Sequence, residues 1–130
     1  MTNPNFHVEI GTDLIEVERI AEAMQRHPDG FGKRVFTQAE NEYCGKKKNA
    51  FVHFAGRFAA KEAILKALGV GLRGGIHWTD IEVINDALGK PVATLCGKAL
   101  EIAKARGMQQ LEISITHCKG FANAVAVLVR

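Results

Sequence analysis

The chain has 130 residues, of which 47% are hydrophobic and 24% are charged, and its formal net charge is +3. This composition is typical of a single globular domain, here over residues 1–130, and a domain of this size has little room for a deep internal pocket. The small positive charge gives no sign of a nucleic-acid-binding arm, and the sequence contains no apolar stretch long enough to cross a membrane. We therefore expect neither nucleic acid nor membrane as a partner, and we expect any large ligand to bind on the surface or between subunits.

The first segment with a clear pattern is residues 7–14, whose alternation predicts a strand. It places Val8, Ile10 and Leu14 on one face and Asp13 on the other. Three helices are predicted to follow, at residues 16–27, from Thr37 to near Gly45, and at 50–68.

The ends of these helices are marked by residue type. Thr37 and Glu40 form the capping-box pattern, and the segment from His27 to Gly30 is a helix breaker. Helix 50–68 is apolar nearly all round, which predicts a central, buried helix, and Gly69 is expected to end it as a left-handed C-cap.

The second half of the chain predicts four strands and a helix. The strands are expected at 80–84, 91–96, 111–117 and 122–129, and the helix at 97–106. The last two strands would form a hairpin around Lys119-Gly120. The order β-α-α-α-β-β-α-β-β predicts an α+β fold with an antiparallel sheet packed on the long central helix.

Cysteine usage indicates the compartment. Cys44, Cys96 and Cys118 are odd in number and show no C-x-x-C spacing, so neither a disulfide framework nor a zinc site is expected. The N-terminus also lacks the basic and apolar regions of a signal peptide. Both observations favour a cytoplasmic protein.

Asp13 is the first candidate functional residue, because a carboxylate at the end of a strand can face a ligand. The competing interpretation is structural, since Asp13-Leu14-Ile15-Glu16 is itself a capping-box pattern. Local sequence favours capping.

Helix 50–68 carries charges that its apolar character does not explain. Arg57, Lys61 and Glu62 would have to be paired or ligand-bound if the helix is buried. Arg57 and Lys61 share a face, and Glu62 could simply pair with Lys66 four residues later. Function and structure both remain possible explanations of these charges.

Three further features have an ordinary structural interpretation. The run Lys46, Lys47, Lys48 is typical of a solvated loop, although three ammonium groups near a helix N-terminus would also attract phosphate. His117 follows Ile115 on one face of its strand, as a structural histidine would. The glycines of 69–75 do not form a P-loop, because its lysine motif is absent.

Taken in order, these segments resemble the holo-acyl-carrier-protein synthase family. The resemblance runs from about residue 8 to the C-terminus and rests on these motifs: Ile10-Gly11-Thr12-Asp13-Leu14-Ile15 with Arg19; Phe36-Thr37 with Glu40; Gly56-Arg57-Phe58-Ala59-Ala60-Lys61-Glu62-Ala63 with Lys66; Gly69-Val70-Gly71; Gly89-Lys90-Pro91; and Ser114-Ile115-Thr116-His117. Val70 and Cys118 stand where many members have threonine.

The resemblance implies a 4′-phosphopantetheinyl transferase fold and a Mg²⁺-dependent transfer of phosphopantetheine from coenzyme A to a serine of acyl carrier protein, in support of fatty acid biosynthesis. It implies that Asp13 and Glu62 hold Mg²⁺, which suits an ion that keeps waters and substrate phosphates as its other ligands. The two carboxylates are then expected within about 4–5 Å of each other. Glu62 or a water would accept the serine proton, and Lys61 would neutralise the departing 3′,5′-ADP.

The same resemblance implies the binding surfaces. Candidates for the coenzyme A contacts are Lys46, Lys47, Lys48, Lys66, Gly69, Gly71 and His117. The helix after Asp13 would dock the acidic carrier through Arg19, with Arg26 and Arg34 as further contacts. The short members of the family resemble homotrimers with sites shared between subunits.

Two other functions stay open on the residues alone. A non-catalytic nucleotide- or protein-binding module of the same fold would have Asp13 capping a helix and Glu62 paired to Lys66. A metal-dependent phosphohydrolase would release free phosphate without a carrier.

Overall fold

The structure is a computed structural model that describes residues 6–130. Its helices are α1 (Val17–Arg26), α2 (Phe31–Val35), α3 (Gln38–Gly45), α4 (Ala50–Leu68) and α5 (Gly97–Ala105). Its strands are β1 (Val8–Glu16), β2 (Ile81–Asn85), β3 (Pro91–Leu95), β4 (Gln110–His117) and β5 (Phe121–Val129), and a 3₁₀ turn covers Trp78–Asp80.

The main sheet is antiparallel, with strand order β1-β5-β4. Its register pairs Gly11 with Ala126 and Asp13 with Ala124, and Ala124 in turn with Ile115. β2 and β3 form a separate antiparallel hairpin. The predicted α+β class, the antiparallel pairing and the hairpin between β4 and β5 are confirmed.

Helix α4 lies across the main sheet and is buried along most of its length. Two glycines permit this close packing. A Cβ on Gly11 of β1 would overlap the carbonyl oxygen of Ala63 and lie 2.8 Å from the nitrogen of Ala67, and one on Gly56 would lie 3.0 Å from Ile115 Cγ2 of β4. The N-terminal half of α4 therefore packs on β4 and its C-terminal half on β1.

The side chains of β1 are divided between the two faces of the sheet as predicted, but the apolar face is the exposed one. Ile10 and Leu14 are 66% and 65% exposed, whereas Gly11 is buried and Asp13 half-buried against α4. Since α4 covers only the Asp13 side of the sheet, an apolar sheet surface faces outward.

The boundaries differ from the predictions in the first half of the chain. β1 continues to Glu16, so α1 begins at Val17. Helix α2 was not predicted, because its five residues follow a helix-breaking segment and are held by tertiary contacts of Phe31 with Phe36 and Phe58. The 3₁₀ turn was also missed.

Both predicted helix ends are confirmed. Thr37 Oγ1 accepts a hydrogen bond from the Glu40 amide at 3.2 Å, and the Thr37 amide donates to Glu40 Oε1 at 2.9 Å. Gly69 ends α4 with φ of 75°, the left-handed conformation that glycine adopts without strain. Among the helices of residues 6–130, none combines the length and apolar character that a membrane crossing requires.

Candidate active site

Asp13 and Lys66 meet where β1 crosses α4. Lys66 Nζ lies 3.2 Å from Asp13 Oδ1 and donates to the carbonyl oxygen of Thr12 at 2.9 Å. The Asp13 side chain is only 16% exposed, and that of Lys66 is 53% exposed. Asn123 of β5 donates to the Asp13 backbone oxygen at 2.9 Å, which fixes the strand beneath the carboxylate.

The capping role considered for Asp13 is wrong. The residue at the N-cap of α1 is Glu16, and it makes no side-chain capping hydrogen bond. Because the strand continues three residues past Asp13, its carboxylate stays on the face that α4 covers and is directed at Lys66 rather than at a helix terminus.

Glu62 is the second carboxylate of this site. Burial raises its pKa, the negative charge of Asp13 raises it further, and the positive charge of Lys66 lowers it. Within residues 6–130, Glu62 forms no ion pair within 4.0 Å, so the pairing of Glu62 with Lys66 considered from the sequence is wrong. The lysine is held by Asp13 instead, and Glu62 has no ion-pair partner within 4.0 Å among the described residues.

The donor set of this site fits Mg²⁺. Two carboxylates are close enough for one to raise the pKa of the other, and no group of three or more metal-ligating side chains occurs in the part of the chain that the structure describes. Mg²⁺ commonly takes one or two protein carboxylates and completes its shell with water and substrate phosphates, whereas a structural zinc site needs four protein ligands. The expected 4–5 Å separation stays a prediction.

Lys61 does not belong to this site, which corrects the role predicted for it. Its side chain is fully buried, and its Nζ donates to Glu40 Oε1 at 2.7 Å, to the Val35 carbonyl at 2.7 Å and to the Trp78 carbonyl at 3.2 Å. All three acceptors lie on α2, α3 and the 3₁₀ turn. An ammonium with this environment cannot reach a leaving group at Asp13 and Glu62.

Arg57, the third charge of α4, is also buried. It donates to the Asn85 side chain, and its guanidinium lies 4.8 Å from the centre of the Tyr43 ring. Its charge helps to lower the pKa of His53, after burial, which is the larger cause. In residues 6–130 no carboxylate lies within 4.0 Å of Arg57, so it adds positive potential at the N-terminal end of α4.

Basic side chains collect around this end of the helix. The ring of His53 packs edge-on against that of His117, with centroids 5.6 Å apart. Lys47 lies over the Tyr43 ring at 4.6 Å, and Lys46 and Lys48 are exposed beside it. The structure thus brings Lys47 and His117 to the same end of α4, and it adds His53 to this group.

Gly69 and Gly71 lie at the opposite end of α4. They line a shallow groove together with Val70, Arg73 and Ile102. A Cβ on Gly71 would meet no atom within 4 Å, so its backbone is open to close approach.

The predicted carrier contacts lie on a different surface. Arg19 and Arg26 are exposed on α1, whose apolar residues Val17 and Ile20 are buried, and Arg34 is exposed on α2. No ion pair within 4.0 Å involves these arginines in the described residues.

Comparison with known proteins identifies relatives of this chain. The sequence model of the 4′-phosphopantetheinyl transferase superfamily matches residues 9–126. The chain is 45% identical over 124 residues to the holo-[acyl-carrier-protein] synthase of Caldanaerobacter subterraneus subsp. tengcongensis, covering 95% of this chain and 96% of that protein. It is 46% identical over 118 residues to that of Syntrophus aciditrophicus, covering 91% and 92%.

Solved structures agree with these sequence matches. The holo-[acyl-carrier-protein] synthase of Neisseria meningitidis superimposes with a TM-score of 0.83 at 31% identity, covering 92% of this chain and 96% of that one. The Helicobacter pylori enzyme, solved in complex with coenzyme A, gives a TM-score of 0.81 at 34% identity, covering 92% and 98%.

Proposed function

The chain belongs to the 4′-phosphopantetheinyl transferase superfamily, and we propose that it is a holo-[acyl-carrier-protein] synthase that uses Mg²⁺ held by Asp13 and Glu62. The reaction joins the β-phosphorus of coenzyme A to a serine oxygen of apo acyl carrier protein. The bond from that phosphorus to 3′,5′-ADP breaks, and the serine loses its proton. The products are holo acyl carrier protein and 3′,5′-ADP.

The observation that carries this proposal is the meeting of Asp13, Glu62 and Lys66 at the crossing of β1 and α4. Burial and, after it, the negative charge of Asp13 raise the pKa of Glu62, so a cation bound between the two carboxylates would favour the ionised form of Glu62. When bound there, Mg²⁺ would stabilise the negative charge that develops on the pyrophosphate during attack.

The side chains of this site have distinct tasks. Lys66, half exposed beside Asp13, offers an ammonium to the pyrophosphate oxygens. Glu62, or a water beside it, would accept the serine proton. Asp13, held from behind by Asn123, keeps the second carboxylate in place.

The remaining phosphate of coenzyme A is assigned to the basic end of α4. The exposed lysines before Ala50 and the rings of His53 and His117 lie near the N-terminus of α4 and the buried charge of Arg57. The glycines 69 and 71, at the other end of α4, would allow backbone to approach the nucleotide.

The exposed arginines of α1 and α2 are proposed to recognise the acidic carrier. Arg19, Arg26 and Arg34 lack partners in the described residues and so remain available. Complementary charge of this kind accelerates encounter and weakens as salt is raised.

We propose that the enzyme is a homotrimer with shared sites. The outward face of the main sheet supports an interface, because Ile10, Leu14 and Phe121 expose apolar side chains side by side on β1 and β5. We also propose that the enzyme supports fatty acid biosynthesis. Its three cysteines, which show neither a disulfide nor a zinc pattern, favour the cytosol as its compartment.

The experiment is a mass measurement on the carrier. Apo acyl carrier protein is incubated with the purified chain, coenzyme A and Mg²⁺, and a parallel reaction contains EDTA. We expect a mass gain of one phosphopantetheine group that EDTA abolishes. An unmodified carrier with free phosphate in solution would indicate a phosphohydrolase, and an unmodified carrier without phosphate release would indicate a binding module.

A further inference from the structure

Lys61 and Glu40 form a fully buried ion pair between helices α4 and α3. Burial lowers the pKa of Lys61, and the negative charge of Glu40 opposes that change. A buried ion pair is costly to maintain and adds little net stability over apolar packing. Its presence therefore calls for an explanation beyond stability.

The acceptors of Lys61 come from three separate segments. Val35 is the last residue of α2, Glu40 lies in the first turn of α3, and Trp78 begins the 3₁₀ turn. One ammonium thus holds three pieces of backbone against the central helix.

Glu40 extends the same network. Its Oε1 also accepts from the Thr37 amide at 2.9 Å, and its Oε2 accepts from the Val83 amide of β2 at 2.8 Å. Because both of its carboxylate oxygens accept hydrogen bonds, the Glu40 side chain is fixed in one position. The Lys61–Glu40 pair therefore forms a rigid junction.

A surface groove of about 660 Å³ borders this junction, because its lining includes Trp78 and Arg34, the residue before Val35. Its walls are α2, which contributes Lys33 and Arg34, and the segment that contributes Leu72, His77 and Trp78. Lys61 donates to the carbonyl of Val35, next to Arg34 on one wall, and to the carbonyl of Trp78 on the other, and so links the two walls.

We propose that Lys61, with Glu40, is a positioning residue that holds the two walls of this groove in register for docking of the acidic carrier. This rests on the proposed function. Lys61 and Glu62 are neighbours in sequence but serve different surfaces: Glu62 faces the metal site and Lys61 organises the carrier side.

Charge complementarity selects the occupant. Lys33 and Arg34 line one wall of the groove, and no carboxylate is among its lining residues. Leu72 and Trp78 provide apolar contact on the other wall. An acidic protein surface with an apolar ridge matches this arrangement.

The test compares kinetic constants of the wild-type chain and the double variant Glu40→Leu/Lys61→Met, in which apolar side chains replace the whole pair. We expect KM for the carrier to rise about tenfold and KM for coenzyme A to change less than about twofold. Lys104→Met, an exposed lysine of α5, is the control and should change neither constant. Equal changes in both constants, or a loss confined to kcat, would show that Lys61 acts on the metal site and would overturn the proposal.

A second variant and a readout besides turnover cover the case in which the double variant fails to fold. Trp78 is the single tryptophan of the chain, so titration with a tryptophan-free acyl carrier protein should change its emission. Charge reversal on the surface by Lys33→Glu should shift this titration to higher carrier concentration. Unchanged emission in the wild type, or an unshifted titration in Lys33→Glu, would refute the groove as a carrier surface. Carrier binding without transfer by the wild type would instead refute the proposed reaction.

Discussion

Asp13 and Lys66 are brought together across a helix–strand contact that is possible only because Gly11 lacks a side chain. The ion pair joins residues 53 positions apart in the sequence at 3.2 Å. Glu62 lies one turn before Lys66 on the same helix, so this single crossing supplies both carboxylates and the cation that partly compensates them.

Replacing Lys66 with methionine should impair turnover more than stability. The lysine is half exposed, and such an ion pair contributes less than about 1 kcal/mol to folding. Its loss should nevertheless raise KM for coenzyme A and lower kcat, as measured by carrier modification. The control is Lys90→Met, which removes an exposed ion pair with Glu112 of 3.0 Å outside the site. Equal effects of the two variants would contradict a specific role for Lys66.

Gly11→Ala should separate β1 from α4. The new methyl group would meet the backbone of Ala63 and Ala67, which cannot rotate away, so we expect a loss of roughly 3 kcal/mol in the free energy of unfolding. Gly45→Ala is the matched control, since a Cβ there meets no atom within 4 Å. Denaturant titration of both variants measures the difference. A stable Gly11→Ala variant with intact activity would show that the close contact is not needed.

Stability in the absence of metal should depend on pH through Glu62. The folded protein raises the pKa of Glu62, so in the range above the ordinary carboxyl value the folded state binds more protons than the unfolded state. The contribution of this group to stability is therefore largest at low pH and is lost as pH rises through the raised pKa. Glu62→Gln should remove this loss of stability at higher pH. Thermal unfolding of both proteins, measured across a range of pH in EDTA, would show the difference.

Stabilisation of the folded protein by added Mg²⁺ is a second test of Glu62. At concentrations well above its Kd, a ligand of the folded state adds roughly 1–3 kcal/mol to the free energy of unfolding. We expect this stabilisation in the wild type and not in Glu62→Gln. Equal stabilisation of both proteins would place the metal elsewhere.

Charge on the open sheet face should disrupt the proposed homotrimer. Ile10→Lys combined with Leu14→Lys places two ammonium groups on the apolar face of β1, and sedimentation should report a shift from trimer to monomer. Leu88→Lys is the control, because Leu88 is 96% exposed on the turn between β2 and β3, away from this face. An unchanged mass of the double variant would move the interface to another surface.

The order of elements, apart from α2 and the 3₁₀ turn, was predictable because it depends on local periodicity. The burial of helix α4 followed from its lack of a polar face, and the faces of β1 followed from alternation. Which face of β1 is covered did not follow, because it depends on α4 packing at Gly11 rather than on the apolar residues Ile10 and Leu14.

The site was predictable through the resemblance and only in part from local pattern. Asp13 appeared to cap a helix, since the strand's extension to Glu16 has no local signal. Lys61 was misassigned because its partner Glu40 lies 21 residues away and was already explained by the capping box with Thr37. The pairing of a buried lysine with a buried glutamate depends on the packing of three helices, so the local sequence does not indicate it.

The most direct test of the metal site is intact-mass analysis of apo acyl carrier protein after incubation with coenzyme A, Mg²⁺ and either the wild-type chain, Asp13→Asn or Glu62→Gln. If the two carboxylates hold the metal and support the attack, each variant should slow the gain of phosphopantetheine by at least about a hundredfold while the fold is retained. Transfer by either folded variant at a rate near that of the wild type would contradict the account.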